Sequence, residues 1–233
     1  MPFHLPILAA VICVSHPVAP ACAPASAPIV AARADDSIVW TRVFGQSGLL
    51  LGVQNALRMS QEKTRAHLDG PFWHDYVESV KGLHGWQDGN SRITNYMGHP
   101  LMGATTGFVV VQNDPKGRAL EWAPHNADYW ASRLKGMAWA AVYSTSFELA
   151  PWGEAGIGNV GQDRGTMAFV DLVVTPLGGF GWMILEDYLD ARVIRPLEPH
   201  IGGWRRVVRV ILNPGRSVAN MLQFERPSYR ATR

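Results

Sequence analysis

The sequence predicts an all-α protein, a single-domain bundle of five to seven apolar helices associated with a membrane. Three observations predict it. Apolar residues make up 47% of the 233 residues and charged residues only 17%, where soluble domains carry about 25% charge. Apolar positions recur at spacings of three and four over long stretches, the period of a helix. Strand signals are weak, and the best candidate, Phe108–Val111, is short. A mean hydropathy of -0.02 is too polar for a chain made only of membrane spans. The composition also excludes disorder, a collagen-like fibre, a disulfide scaffold and a charge-rich coiled coil.

In chain order, residues 1–32 hold no Lys, Arg, Asp or Glu. An apolar run from Leu5 to Val14 is followed by small-x-small sites at Ala21-Cys22-Ala23 and Ala25-Ser26-Ala27. That layout predicts a secretory signal peptide over 1–27, cleaved after Ala23 or Ala27, although its n-region lacks a basic residue. A linker over 28–37, a helical domain over 38–223 and a basic tail over 224–233 complete the expected organisation. Both cysteines, Cys13 and Cys22, fall in the leader. A processed chain would hold neither disulfide, thiolate zinc site nor Cys nucleophile.

Val43–Leu57 carries no charge and reads as a helix extending to about Met59. Residues 60–70 are polar and end at the turn signal Gly70-Pro71. Phe72, Trp73, Tyr76, Val77, Val80 and Leu83 mark an amphipathic helix. Residues 84–92 are a loop. Ile93–Asn113 runs 21 positions without charge. Its polar residues make it a buried or interfacial helix, kinked or started near Pro100. A polar loop over 114–127 leads to a helix over 128–149. Residues 150–166 are Gly-rich and aperiodic, a loop long enough to be functional or mobile. Residues 167–192 form a long helix with an expected bend at Thr175-Pro176. Two short basic helices, 204–212 and 216–223, close the chain.

Charge is unevenly spread. Residues 192–233 hold nine Arg, no Lys and two Glu, while the body before them is net acidic. Arg205, Arg206, Arg209 and Arg216 are therefore expected either to contact an anionic surface or to form a solvated basic helix and tail. Nucleic acid is not an expected partner, since no recognised binding motif is present. The expected partners are a membrane lipid surface and an envelope protein. The nine Trp, several at segment ends, are consistent with an interfacial belt or with core and rim positions.

The candidate chemistry lies on the helix after residue 166. Asp171, Thr175, Gly178, Trp182 and Glu186 follow at steps of four, three, four and four, so they share one face. A lone carboxylate in so apolar an element needs a partner or a raised pKa. His99, Glu148 and the neighbouring Asn95 and Ser144 are the candidate partners. His99, Glu148, Asp171 and Glu186 are the catalytic candidates, with Asn95, Ser144 and Thr175 completing a polar network. General acid/base work by His99, oriented by a carboxylate, is one reading. Polar ties between helices are the other. No HExxH or comparable spacing occurs, and no metal or cofactor is expected. Gly156-Ile157-Gly158-Asn159-Val160-Gly161 has dinucleotide-motif spacing but no preceding strand, and reads as a loop.

Asn95-Tyr96-x-Gly98-His99-Pro100-x-x-Gly103 resembles a motif of an uncharacterised family of bacterial envelope proteins. Phe147-Glu148, Asp171-Leu172-x-x-Thr175-Pro176-x-x-Gly179 with Glu186, and Asn213-Pro214-x-Arg216 with Asn220 follow the same pattern in order. The resemblance covers about residues 90–222 and supplies no mechanism. It implies an exported, membrane-associated helical protein of the periplasm or outer membrane. The sequence thus predicts an envelope protein with a structural or lipid-contacting role. The alternatives are an envelope hydrolase or transferase using His99, and a subunit of an envelope assembly.

Overall fold

The computed structural model describes residues 37–230. The expected signal peptide, both cysteines and nearly all of the linker lie outside the described residues, as do residues 231–233. Among the described residues the regular elements are all helical, with no strand. Seven helices have eight residues or more: α1 (Trp40–Arg58), α3 (Phe72–Lys81), α4 (His99–Asn113), α5 (Ala127–Leu149), α6 (Phe169–Leu189), α8 (Arg205–Leu212) and α9 (Pro214–Leu222). Two short turns, α2 (Glu62–Arg65) and α7 (Arg195–Leu197), lie between them. Phe108–Val111, the strand candidate, is helical and belongs to the buried middle of α4. Valines favour strands only when a pleated surface is there to receive them, and here helices cover every side.

α4 is the centre, packed against α6, α5, α9 and α1. A π-helical turn, Thr94–Gly98, leads into it, and Pro100 occupies its first turn. There proline's missing N–H has no intrahelical acceptor to lose. Small residues let the helices approach. A Cβ on Gly103 would come 1.8 Å from the Thr175 carbonyl oxygen, and one on Gly179 would come 2.5 Å from the Gly103 backbone. Gly107 meets Gly136 of α5 in the same way. Asn126 starts α5 by accepting from the Asp128 amide at 2.8 Å. α6 runs as one helix through Pro176.

The Gly-rich loop is packed rather than open. Ala155, Val160 and Met167 form a small core with Tyr76, Val80 and Leu83 of the α3 region. The Gly161 amide donates to Ser79 Oγ at 2.9 Å.

The core is apolar, with Val43 and Leu50 of α1, Phe108–Val111 of α4 and Val170 and Met183 of α6 buried in it, but α6 and α1 also turn polar residues inward and apolar ones outward. The inward face of α6 carries Asp171, Thr175, Glu186 and Asp187. Its outward face carries Phe169, Val173, Leu177, Leu185 and Tyr188, with Leu177 58% exposed. In α1, Gln46 and Ser47 are buried, while Phe44, Leu49, Val53 and Leu57 are exposed. Among the described residues, Phe169–Leu197 is the one stretch long and apolar enough to cross a membrane.

Candidate functional site

The first turn of α4 meets the first turns of α6 through His99. Its Nε2 lies 3.1 Å from Asp171 Oδ1, and its Nδ1 lies 3.2 Å from Thr175 Oγ1. Asp171 and Thr175 are one helical turn apart, so a single imidazole reaches both. In the neutral ring, donation from Nε2 to the carboxylate leaves Nδ1 to accept from the threonine hydroxyl. Ser144 of α5 donates to the Asp171 carbonyl at 3.2 Å. Three helices are therefore tied at one level.

Glu148, one turn after Ser144, is buried. Burial pushes its carboxyl well above the usual range, and the charges of Glu154 and Asp171 push it the same way. Arg58 at the end of α1 opposes this, but it is committed to Glu154, its Nε 2.8 Å from Oε1. Asp88, from the loop before α4, also raises Glu148 and is itself buried. Asn95 donates to Asp88 Oδ1 at 2.7 Å and joins the cluster through it. His99, Glu148, Asp171, Asn95, Ser144 and Thr175 are thus brought together.

Glu186 is not. On an α-helix it lies about 22 Å along the axis from Asp171. Its carboxylate receives the Gly215 amide at 2.7 Å, the Arg216 amide at 3.0 Å and Trp182 Nε1 at 2.9 Å. It caps the N-terminus of α9 from a neighbouring helix, satisfying donors that no intrahelical carbonyl can reach.

The chemical capacity of the first cluster is bounded by its surroundings. Hydroxyl, imidazole and carboxylate stand in the order of a nucleophile, a base and its orienting acid. Yet Thr175 is 3% exposed. The residue behind it is Pro176, which has no N–H to stabilise a developing oxyanion. The hydrogen bonds of His99 and Ser144 tie α4, α5 and α6 together at this level.

A second buried cluster escaped the sequence reading. Asp187 accepts from Arg133 Nε at 2.7 Å and from the Tyr129 hydroxyl at 2.8 Å, and it pairs with Arg216. Arg133 and Tyr129 are fully enclosed. The signal was a lone arginine in mid-helix, among the small residues Ser132, Gly136 and Ala140.

Beside this cluster lies a cavity of about 480 Å³, lined by arginines that include Arg118, Arg195, Arg209, Arg216 and Arg230. The expected anionic-surface residues divide here. Arg205 and Arg206 are exposed. Arg209 instead pairs with Glu198 at 2.6 Å, and Arg216 with Asp187. Residues 224–230 fold back on α9, where Asn220 Nδ2 donates to the carbonyls of Pro227 at 2.8 Å and Tyr229 at 3.0 Å. Half of the segment's described arginines, Arg195, Arg209, Arg216 and Arg230, are therefore tied into the domain by ion pairs, while Arg192, Arg205, Arg206 and Arg226 are exposed. No family model, curated protein or solved structure matches the chain.

Proposed function

We propose that the protein is a membrane-associated helical component of the cell envelope, with a structural, lipid-contacting role. The single observation that carries this reading is the inverted polarity of α6. Its carboxylates and threonine face inward while Phe169, Val173, Leu177 and Leu185 face outward. In water such a face leaves apolar area exposed over about 24 Å of helix. Against acyl chains it costs nothing, and the interior is then held by small-residue packing and polar ties. Gly103 against Gly179 and His99 between Asp171 and Thr175 are those two devices. The expected signal peptide and the envelope-family resemblance agree with this location.

Flotation with phosphatidylcholine vesicles tests the reading. The wild type should float, and Leu177→Lys or Val173→Lys should reduce recovery. A lysine in acyl chains costs about 2.5–3.5 kcal/mol, whereas on a water-facing helix it costs within about 0.5 kcal/mol. Unchanged recovery would contradict the reading. If the face is covered by a protein subunit instead, the lysine variants would dissociate an assembly in detergent.

The enzyme reading has the hydroxyl–imidazole–carboxylate order in its favour. The enclosure of Thr175 and the proline after it weigh more heavily.

A further inference from the structure

We infer that the arginine-lined cavity at the C-terminal end of α6 binds the phosphate group of an anionic lipid headgroup. The lipid source rests on the membrane reading above; the phosphate site itself does not.

Placement is the first ground. Asp187, Asp190 and Arg195 bring the end of α6 and the turns after it into the cavity wall. The apolar outward face of α6 ends at Leu185 and Tyr188. The cavity therefore lies beside the C-terminal part of the apolar stretch Phe169–Leu197, where its charged residues gather, a level suited to headgroup phosphates. Trp122, also in the wall, packs edge-on against Tyr188 with centroids 5.9 Å apart. Such rings favour the boundary between acyl chains and water.

Unmet donors are the second ground. Arg216 has a buried Nε with no acceptor among the described residues. Its guanidinium is fixed by Asp187 and lies 4.4 Å over the Phe108 ring. Arg118 is exposed and makes no ion pair among the described residues. Three of the four carboxylates in the wall are engaged, Glu121 with Arg195 and the two aspartates as follows, while Glu225 at the rim is exposed and makes no ion pair among the described residues. Asp187 holds Arg133 and Arg216, and Asp190 holds Arg195 and Arg230. A guanidinium has five N–H groups, so these pairs orient the arginines and leave donors over. Planar donor forks match the oxygens of a phosphate better than point charges do. The volume, about 480 Å³, is that of a small-molecule site and exceeds a bare ion.

The test uses the full chain purified in detergent. One arm is flotation with vesicles of phosphatidylcholine alone or mixed with phosphatidylglycerol. The other is calorimetric titration with glycerol 3-phosphate. The wild type should prefer the anionic vesicles. Arg118→Gln, at a position without ion pairs, should lower that preference about fivefold. Arg216→Gln should do at least as much, and Arg205→Gln/Arg206→Gln should keep the preference. Full preference in Arg118→Gln and Arg216→Gln would overturn the site, as would a loss confined to the Arg205/Arg206 variant. Glycerol 3-phosphate binding that depends on Arg118, without any vesicle preference, would overturn the lipid assignment in favour of a soluble phosphate. Flotation with neither vesicle contradicts the membrane reading alone. The titration then decides the cavity, supporting it if binding is lost in Arg118→Gln and overturning it if the wild type does not bind.

Discussion

His99 Nε2 lies 3.1 Å from Asp171 Oδ1, joining the first turn of the central helix α4 to the first turn of α6. The contact is enclosed on the Asp171 side and continues to Thr175. A double-mutant cycle of His99→Ala and Asp171→Ala, read by denaturant unfolding, should give a coupling of about 0.5–3 kcal/mol. Thr175→Val keeps the shape, loses one hydrogen bond and should cost about 1 kcal/mol. Additive single effects would mean that the two side chains do not support each other.

Glu148 makes stability depend on pH. Its folded pKa is raised by burial and by the nearby Glu154 and Asp171, while unfolded glutamate titrates at about 4.3. The folded chain therefore retains a proton that the unfolded chain releases. That contribution is complete below the unfolded value and is lost as pH rises through the folded one. Glu148→Gln carries a neutral group at every pH. Its melting temperature relative to wild type should therefore climb as pH is raised from the carboxylate range. A constant difference across that range would count against the assignment.

Glycine has opposite meanings in two helices. Gly103 touches the backbone of α6, so Gly103→Leu should destabilise by at least about 1–3 kcal/mol through overpacking. Gly48 on α1 has nothing within 4 Å of the position a Cβ would take. Gly48→Ala should stabilise by about 0.4–1 kcal/mol, because the unfolded chain loses freedom. Thermal unfolding of the two variants checks both signs.

The enclosed Arg133–Asp187 pair predicts a second contrast. Arg133→Ala leaves a buried carboxylate with less compensation and should cost about 3–5 kcal/mol. Arg205→Ala, at an exposed position, should change stability by less than about 0.5 kcal/mol. Comparable losses in the two would mean that Asp187 is satisfied without Arg133.

The helices were legible because charge-free runs and three–four spacing are local properties. Asp171 and Thr175 were legible for the same reason, being one turn apart on a face that had to find a partner. Glu186 shares that face, but a stripe carries no information on axial distance. Its partners are the amides of a helix that begins 28 residues later. Asp187, its neighbour, points into a different cluster, and Arg133 and Arg216 reach it from positions 54 and 29 residues away. Asp88 sat in a polar loop and nothing nearby in sequence marked it as buried. The basic segment read as an exposed arm because Glu198 and Asp190, which hold Arg209 and Arg230, belong to the preceding turns. Pairings of this kind arise from the fold and not from the pattern.

The inverted polarity of α6 can be measured directly. With Cys13 and Cys22 replaced by serine, single cysteines at 173, 177, 181, 185, 188 and, as the water-exposed control, 205 would carry nitroxide labels in vesicle-bound protein. Labels against acyl chains should relax readily with oxygen and poorly with a water-soluble nickel chelate. The ratio should be greatest in the middle of the face and fall toward position 188. High chelate access along 173–185, equal to that at exposed Arg205, would contradict a lipid-contacting α6 and the role proposed for the protein.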